Sequence, residues 1–146
     1  MSSLLFSIKD SRAIVPSKAH IDDIGYDLTI IDTVKVISDR ISMFDTGVAV
    51  KPPIGYYTEV VPRSSFSKSG YVLANSIGII DPQYRGSIKI VLMRVDDSAL
   101  PLALPYKGFQ LILRKAETCT VRVVDDLDET ERGDGGFGST DMRYGC

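Results

Sequence analysis

Ser87-Ile88-Lys89-Ile90-Val91-Leu92-Met93-Arg94-Val95 begins with a clean alternation of polar and aliphatic side chains and continues as a run of strand-forming residues. Side chains on a β-strand repeat every two residues, so Ser87-Ile88-Lys89-Ile90 sends one set to a buried face and the other to a wetter one. The same residue types recur on either side. Thr33 to Ile41, Gly47 to Lys51, Tyr56 to Val61, Phe109 to Arg114 and Thr118 to Val124 are rich in Val, Ile, Tyr and Thr, and Thr120-Val121-Arg122-Val123 repeats the alternation. Pro16, Pro52, Pro53, Pro62, Pro82, Pro101 and Pro105 leave few windows in which a helix could propagate. One short helical turn is expected around Ser65 to Lys68. The pattern predicts an all-β domain, a sandwich or jelly roll.

The 146 residues suffice for one domain with its own core, and the 44% apolar and 25% charged fractions are ordinary for a globular protein. No apolar stretch approaches the roughly 18 residues that cross a bilayer, and no basic segment followed by an apolar run opens the chain. An intracellular protein is therefore expected, cytoplasmic or nuclear, neither secreted nor membrane-bound. Cys119 and Cys146 form no disulfide framework, and a single histidine without a Cys/His cluster argues against a zinc site and against His-based catalysis. The net charge of −2 offers no broad basic surface, so direct nucleic-acid binding is not expected. A local group of arginines could still hold a small anion.

Four polar segments interrupt the strand pattern. Gly25-Tyr26-Asp27-Leu28 places a carboxylate between an aromatic and an aliphatic residue, a pattern that is often only structural. Pro62-Arg63-Ser64-Ser65 sets a guanidinium and two hydroxyls after a strand, which reads equally as an anion site at a helical turn and as an ordinary serine N-cap. In Leu73 to Gly86 the Gly78-Ile79-Ile80 run is expected to be largely buried. Asp81 follows it, held by the turn that Pro82 and Gly86 mark. A carboxylate at the rim of an apolar pocket is a candidate general base, Asn75 could read a base edge, and Tyr84 could form a flat wall. The plainer alternative is a β-hairpin whose Asp-Pro pair starts the turn. After the acidic run Asp125 to Glu131, a solvated linker, comes Arg132-Gly133-Asp134-Gly135-Gly136-Phe137-Gly138-Ser139-Thr140. Glycines cannot anchor a core, so this segment is either a loose tail or a lid whose N–H groups, hydroxyls, guanidinium and ring close over a nucleoside polyphosphate.

In order and spacing these segments resemble the five motifs of the trimeric dUTPase family, deoxyuridine triphosphate nucleotidohydrolases. Gly25 to Leu28 resembles the first, Pro62 to Ser65 the second, Gly78 to Gly86 the third, Gly108-Phe109-Gln110-Leu111-Ile112 the fourth, and Arg132 to Thr140 the fifth. The resemblance covers nearly the whole chain. It implies a distorted jelly-roll β-sandwich over residues 1–124, followed by an acidic linker and lid arm over 125–146. It also implies a homotrimer in which the arm of one subunit closes a site built by the other two.

The implied reaction is Mg²⁺-dependent hydrolysis of dUTP to dUMP and pyrophosphate, which limits uracil incorporation into DNA and supplies dUMP for dTMP synthesis. By the same likeness, Asp81 would deprotonate the water that attacks the α-phosphorus and would bond the 3′-hydroxyl. Tyr84 would pack beneath the sugar and exclude a 2′-hydroxyl. The backbone around Gly78, Ile79, Ile80 and Lys89, with Asn75, would read uracil. Arg63, Ser64, Ser65 and Gln110 would take the phosphates, joined from the arm by Arg132, Gly138, Ser139 and Thr140, while Phe137 stacks on the base. Asp27 would touch Mg²⁺ through water.

The chain departs from the family pattern at three places. Lys107 stands where the fourth motif usually has arginine, Ile24 replaces a common alanine, and Asp141 replaces a glycine after Ser139-Thr140. Two other readings of the same fold are a dCTP deaminase-like enzyme and a non-catalytic nucleotide-binding module. The stretch Pro62 to Lys68 lacks the Arg-Ser-Ser-x-Ala-Arg pattern of the first, and a pure binder would have no use for Asp81 as a base.

Overall fold

The computed structural model describes residues 2–139. Ten strands and one 3₁₀ turn follow one another in this order: β1 (Leu5–Ile8), β2 (Gly25–Ile30), β3 (Asp32–Val36), β4 (Ile41–Asp45), β5 (Val48–Lys51), β6 (Tyr56–Pro62), the 3₁₀ turn (Ser64–Lys68), β7 (Tyr71–Leu73), β8 (Gly78–Ile80), β9 (Lys89–Arg94) and β10 (Tyr106–Lys115). They form two four-stranded antiparallel sheets, ordered β2-β10-β6-β8 and β3-β4-β9-β7, and a two-stranded ribbon β1-β5. The chain is thus all-β, as its strand pattern predicts.

The period of two decides which residues meet. In β10, Phe109 and Leu111 point inward and are wholly buried, while Gln110 points to the other face. Leu28 and Ile30 of β2, Val60 of β6, Phe44 of β4, Ile90 and Leu92 of β9, and Val50 of β5 join them, so both large sheets and the ribbon share one core. The alternation read in Ser87-Ile88-Lys89-Ile90 is present: Ile88 and Ile90 are each 2% exposed, and Lys89 is exposed. Burial on this scale is worth roughly 1.5–3 kcal/mol for each large apolar side chain, which sets the two sheets face to face. Phe66 of the 3₁₀ turn plugs one end of the core, its ring centroid 4.9 Å from that of Phe109. That contact fixes the chain just beyond β6, where Arg63 lies.

Three details differ from the sequence reading. Thr33 to Ile41 is not one strand: the chain reverses between β3 and β4, where Ser38 Oγ accepts the N–H groups of Arg40 and Ile41. A serine turned back on its own backbone competes with strand pairing. Thr118 to Val124 is in no strand, because no strand among the described residues runs alongside it; Val121 and Val123 are 88% and 97% exposed. Cys119, in that stretch, is exposed and free. Third, Ile79 in the Gly-Ile-Ile run is 58% exposed, since β8 is an edge strand and Ile79 lies on the outward face. Among the described residues, no helix is long and apolar enough to cross a membrane.

Candidate active site

The sheet β2-β10-β6-β8 places three of the five motifs side by side. Asp27 of β2 lies opposite Gln110 of β10, which lies opposite Val61 of β6, one residue before Pro62 and two before Arg63. The backbone N–H of Arg63 donates to the carbonyl of Gly108 at 2.8 Å. Its guanidinium Nε stands 3.2 Å from Asp27 Oδ1, and Nη1 donates to the Lys107 carbonyl at 3.4 Å. Lys107 Nζ lies 3.5 Å from the other oxygen of the same carboxylate. Gln110 Nε2 donates to the Pro62 carbonyl at 3.3 Å. One carboxylate, two cations and a carboxamide therefore meet across β2, β10 and the end of β6.

Glycines let them meet. A β-carbon at Gly25 would collide with the Gln110 carboxamide, and one at Gly108 would strike the rings of Tyr106 and Phe66. The 3₁₀ turn starts from Arg63, which makes no side-chain cap, so neither serine is an N-cap. The first bond of the turn is Phe66 N–H to the Arg63 carbonyl at 2.9 Å. The N–H groups of Ser64 and Ser65 precede it, and both serines, next to Arg63 in the chain, are exposed. Hydroxyls, amides and cations in this arrangement suit phosphate oxygens. Lys107 is a member that the sequence reading had named only as a departure; its signal was its position three residues before Gln110.

The third motif builds a second, concave element. Asp81, Ile79, Ile80, Tyr84, Ile88 and Lys89 line a cavity of about 210 Å³. Tyr84 N–H donates to the Asp81 carbonyl at 3.0 Å, closing the turn that the Asp-Pro pair starts. The Tyr84 hydroxyl donates to the Ser87 carbonyl at 2.9 Å, and Arg85 Nη1 donates to the Pro82 carbonyl at 2.6 Å and the Tyr84 carbonyl at 3.0 Å. At Gly86 a β-carbon would come within 2.5 Å of the Tyr84 hydroxyl, so glycine lets the ring lie against the loop. The flanking strands do not pair as a hairpin: β8 belongs to one sheet and β9 to the other. Asn75 sits in the turn between β7 and β8, outside the cavity lining, and next to Ser76 with φ of 63°. Asp81 is exposed, and no side chain among the described residues bonds its carboxylate.

No hydrogen bond or ion pair joins the cavity to the Asp27–Arg63–Lys107 group among the described residues. The arm also stands alone. Arg132 Nε donates to the Gly135 carbonyl at 2.9 Å, Gly133 N–H to Thr130, Gly135 N–H to Arg132 and Ser139 N–H to Gly136, all within a few residues. Phe137 is fully exposed at φ of 53°, flanked by Gly138 at 80°. Thr140, Asp141 and Cys146 lie outside the described residues. So do no other residues of the proposed site.

Known proteins resemble this chain in sequence and in fold. The model of the dUTPase family matches residues 11–141. The chain is 34% identical over 130 residues to the deoxyuridine 5′-triphosphate nucleotidohydrolase of Picosynechococcus sp., covering 88% of this chain and 92% of that one. It is 34% identical over 140 residues to the Arabidopsis thaliana protein of the same name, covering 94% and 84%. The fold is similar to that of the Staphylococcus bacteriophage 80alpha dUTPase with dUpNHpp, with a TM-score of 0.77, 25% identity and coverage of 96% and 99%.

Proposed function

Because the chain belongs to the dUTPase family and so acts as a dUTP nucleotidohydrolase, we propose that it forms dUMP and pyrophosphate by water attack on the α-phosphorus of dUTP. The observation that carries this reading is Asp81: a carboxylate at the rim of a cavity, on a loop braced by Tyr84 and Arg85, with no side-chain partner among the described residues. A base must be free to take a proton from water and fixed enough to aim it. In the mechanism Asp81 orients and deprotonates the water. Arg63, Ser64, Ser65 and Gln110 hold the phosphates and offset the charge that grows on them.

Selectivity follows from the cavity. Gly78, Ile79 and Ile80 form an edge strand, whose outer N–H and C=O groups have no neighbouring strand and can pair with the polar edge of uracil. Lys89 borders the same cavity, and Asn75 is placed on the adjoining turn. The Tyr84 ring, pinned by its hydroxyl, would support the deoxyribose and leave no space for a 2′-hydroxyl.

The donor set fits Mg²⁺ carried mainly by substrate. No three His, Cys, Asp or Glu side chains come together among the described residues, and Mg²⁺ keeps most of its water while binding phosphates through few protein carboxylates. Asp27, beside the phosphate-binding cations Arg63 and Lys107, would reach such an ion through water. When bound, Mg²⁺ neutralises phosphate charge; the proton transfer stays with Asp81.

A homotrimer with an exchanged arm accounts for what the single chain leaves unmet. Among the described residues, no hydrogen bond or ion pair links the two site elements. The extended stretch 118–124 carries bare valines, and among the described residues the arm beyond it bonds only within itself. Placed on a neighbour, residues 125–146 would bring Arg132, Gly138, Ser139 and Thr140 to the phosphates and Phe137 to the base.

The test is pyrophosphate release with Mg²⁺ and dUTP, dCTP, dTTP or UTP. Release from dUTP alone is expected. Ammonia from dCTP would favour a deaminase, and binding without turnover a regulatory module. Asp81→Asn should lower kcat by about 10²–10⁴ while the nucleotide still binds.

A further inference from the structure

The Asp27 carboxylate is shared between two cations, and its two oxygens are divided between them. Arg63 Nε is 3.2 Å from Oδ1 and Lys107 Nζ 3.5 Å from Oδ2. These are the cations best placed to receive phosphate oxygens. We propose that Asp27 is an exchangeable counter-ion: it holds Arg63 and Lys107 in the nucleotide-free protein and yields both to the triphosphate. This inference rests on the dUTP reading of the site and adds Lys107 to the groups that bind the phosphates.

Three features support an exchange over a fixed brace. First, the backbones are held without the ion pairs. Asp27 N–H donates to the Ser17 carbonyl at 2.8 Å, Arg63 N–H donates to the Gly108 carbonyl at 2.8 Å, and Lys107 sits in a bulge of β10 between Tyr106 and Phe109, which pair with Ile30 and Leu28 of β2. The side-chain pairs can therefore break without loosening the sheet. Second, the pairs are partly open to water, with side-chain exposures of 24% for Asp27, 37% for Arg63 and 55% for Lys107, so each is weak enough for a multiply charged anion to displace. Third, the charges do not balance: one carboxylate faces two cations, which leaves a positive excess to attract an anion before the exchange is complete.

The exchange also couples nucleotide to metal. While both cations flank Asp27, a divalent ion approaching that carboxylate is repelled by them. Once phosphates take Arg63 and Lys107, the carboxylate is released to hold water on such an ion. Without metal, the released Asp27 instead repels the triphosphate. Nucleotide and Mg²⁺ should then each tighten the other's binding through this one residue, by the same factor in either direction.

Calorimetric titration of the full chain at low salt tests this, with dUpNHpp or inorganic triphosphate as the probe, in EDTA and again with Mg²⁺. Asp27→Asn keeps the shape of the side chain and removes its charge. It should bind either probe roughly three- to thirty-fold tighter than wild type in EDTA, the range set by two screened surface pairs. With Mg²⁺ that advantage should vanish, so that the metal tightens binding less in the variant than in wild type. Lys107→Met should weaken binding in EDTA and reduce the gain from Asp27→Asn. Unchanged or weaker metal-free binding by a folded Asp27→Asn would overturn the exchange and leave Asp27 as a brace or a metal contact. Wild-type protein that binds triphosphate but not dUpNHpp would instead overturn the dUTP reading, and the triphosphate arm would still decide the role of Asp27.

Discussion

Gly25→Ala should damage the active site although residue 25 itself meets no substrate: it acts through Gln110, a proposed phosphate donor. The added β-carbon would fall on the Gln110 carboxamide oxygen and 2.8 Å from both Cβ and Cδ of that residue. The carboxamide can swing away, but doing so breaks its bond to the Pro62 carbonyl, 3.3 Å long and worth about 1 kcal/mol. The Gln110 β-carbon cannot swing, so β2 and β10 must part by several tenths of an ångström, at a cost of about 1–3 kcal/mol typical of overpacking. Loss of one well-placed donor to a transferring phosphoryl group costs up to about 10²-fold or more; a displaced donor should cost about 10- to 100-fold in kcat/KM. Steady-state pyrophosphate release would measure this, with thermal melting to follow the packing cost. In a Gln110→Ala background the carboxamide collision is gone, so Gly25→Ala should add less than about threefold, the mark of two changes acting on one group. Wild-type kcat/KM in Gly25→Ala, or the full loss repeated on top of Gln110→Ala, would refute the reasoning.

Removing the chain from Arg132 onward should abolish most turnover while the assembly keeps its mass by light scattering; dissociation would make the arm structural. If sites are shared between subunits, mixing inactive Asp81→Asn with inactive Arg63→Ala protein through a denaturation and renaturation cycle should restore part of the activity, because some mixed trimers then contain an intact site. No recovery would place both residues in a site made by one chain. The paired hydrogen bonds from Arg12 Nε and Nη2, at 3.1 and 2.8 Å, hold the Asp10 carboxyl at about 2, below its ordinary 3.8. A depressed folded value means that this clamp contributes fully above the ordinary carboxylate range and is lost as pH falls toward 2. NMR titration should find that midpoint, and Arg12→Ala should return it toward 3.8; an unmoved midpoint would remove Arg12 as the cause.

The fold was legible where burial follows the pleat. Ile88 and Ile90 lie inward and Lys89 outward because one face of β9 packs on the core, and local alternation reports that directly. The same alternation misled at Thr120 to Val123. A strand needs a neighbour, and among the described residues none runs beside this stretch, which no local pattern reveals. Ile79 failed for a related reason, since hydrophobicity cannot tell an edge strand from a central one. Within the proposed site, Arg63 stands out in the sequence as a cation beside two serines, and Asp81 as a carboxylate after an apolar run. The ion pairs of Asp27 with Arg63 and Lys107 do not, because they join residues far apart in the chain through sheet register, which only the folded arrangement reveals. Gly25 and Gly108 were read only as parts of motifs; their reason, room for Gln110 and for the Tyr106 and Phe66 rings, lies in cross-strand packing.

The central claim is that water, activated at Asp81, attacks the α-phosphorus of dUTP. The direct measurement is hydrolysis of dUTP by the full-length protein with Mg²⁺ in ¹⁸O-labelled water, with mass spectrometry of both products after a single turnover. The account predicts one labelled oxygen in the phosphate of dUMP and none in pyrophosphate, with both products formed far more slowly by Asp81→Asn. Label in pyrophosphate, or dUTP left intact by the wild-type protein, would contradict it.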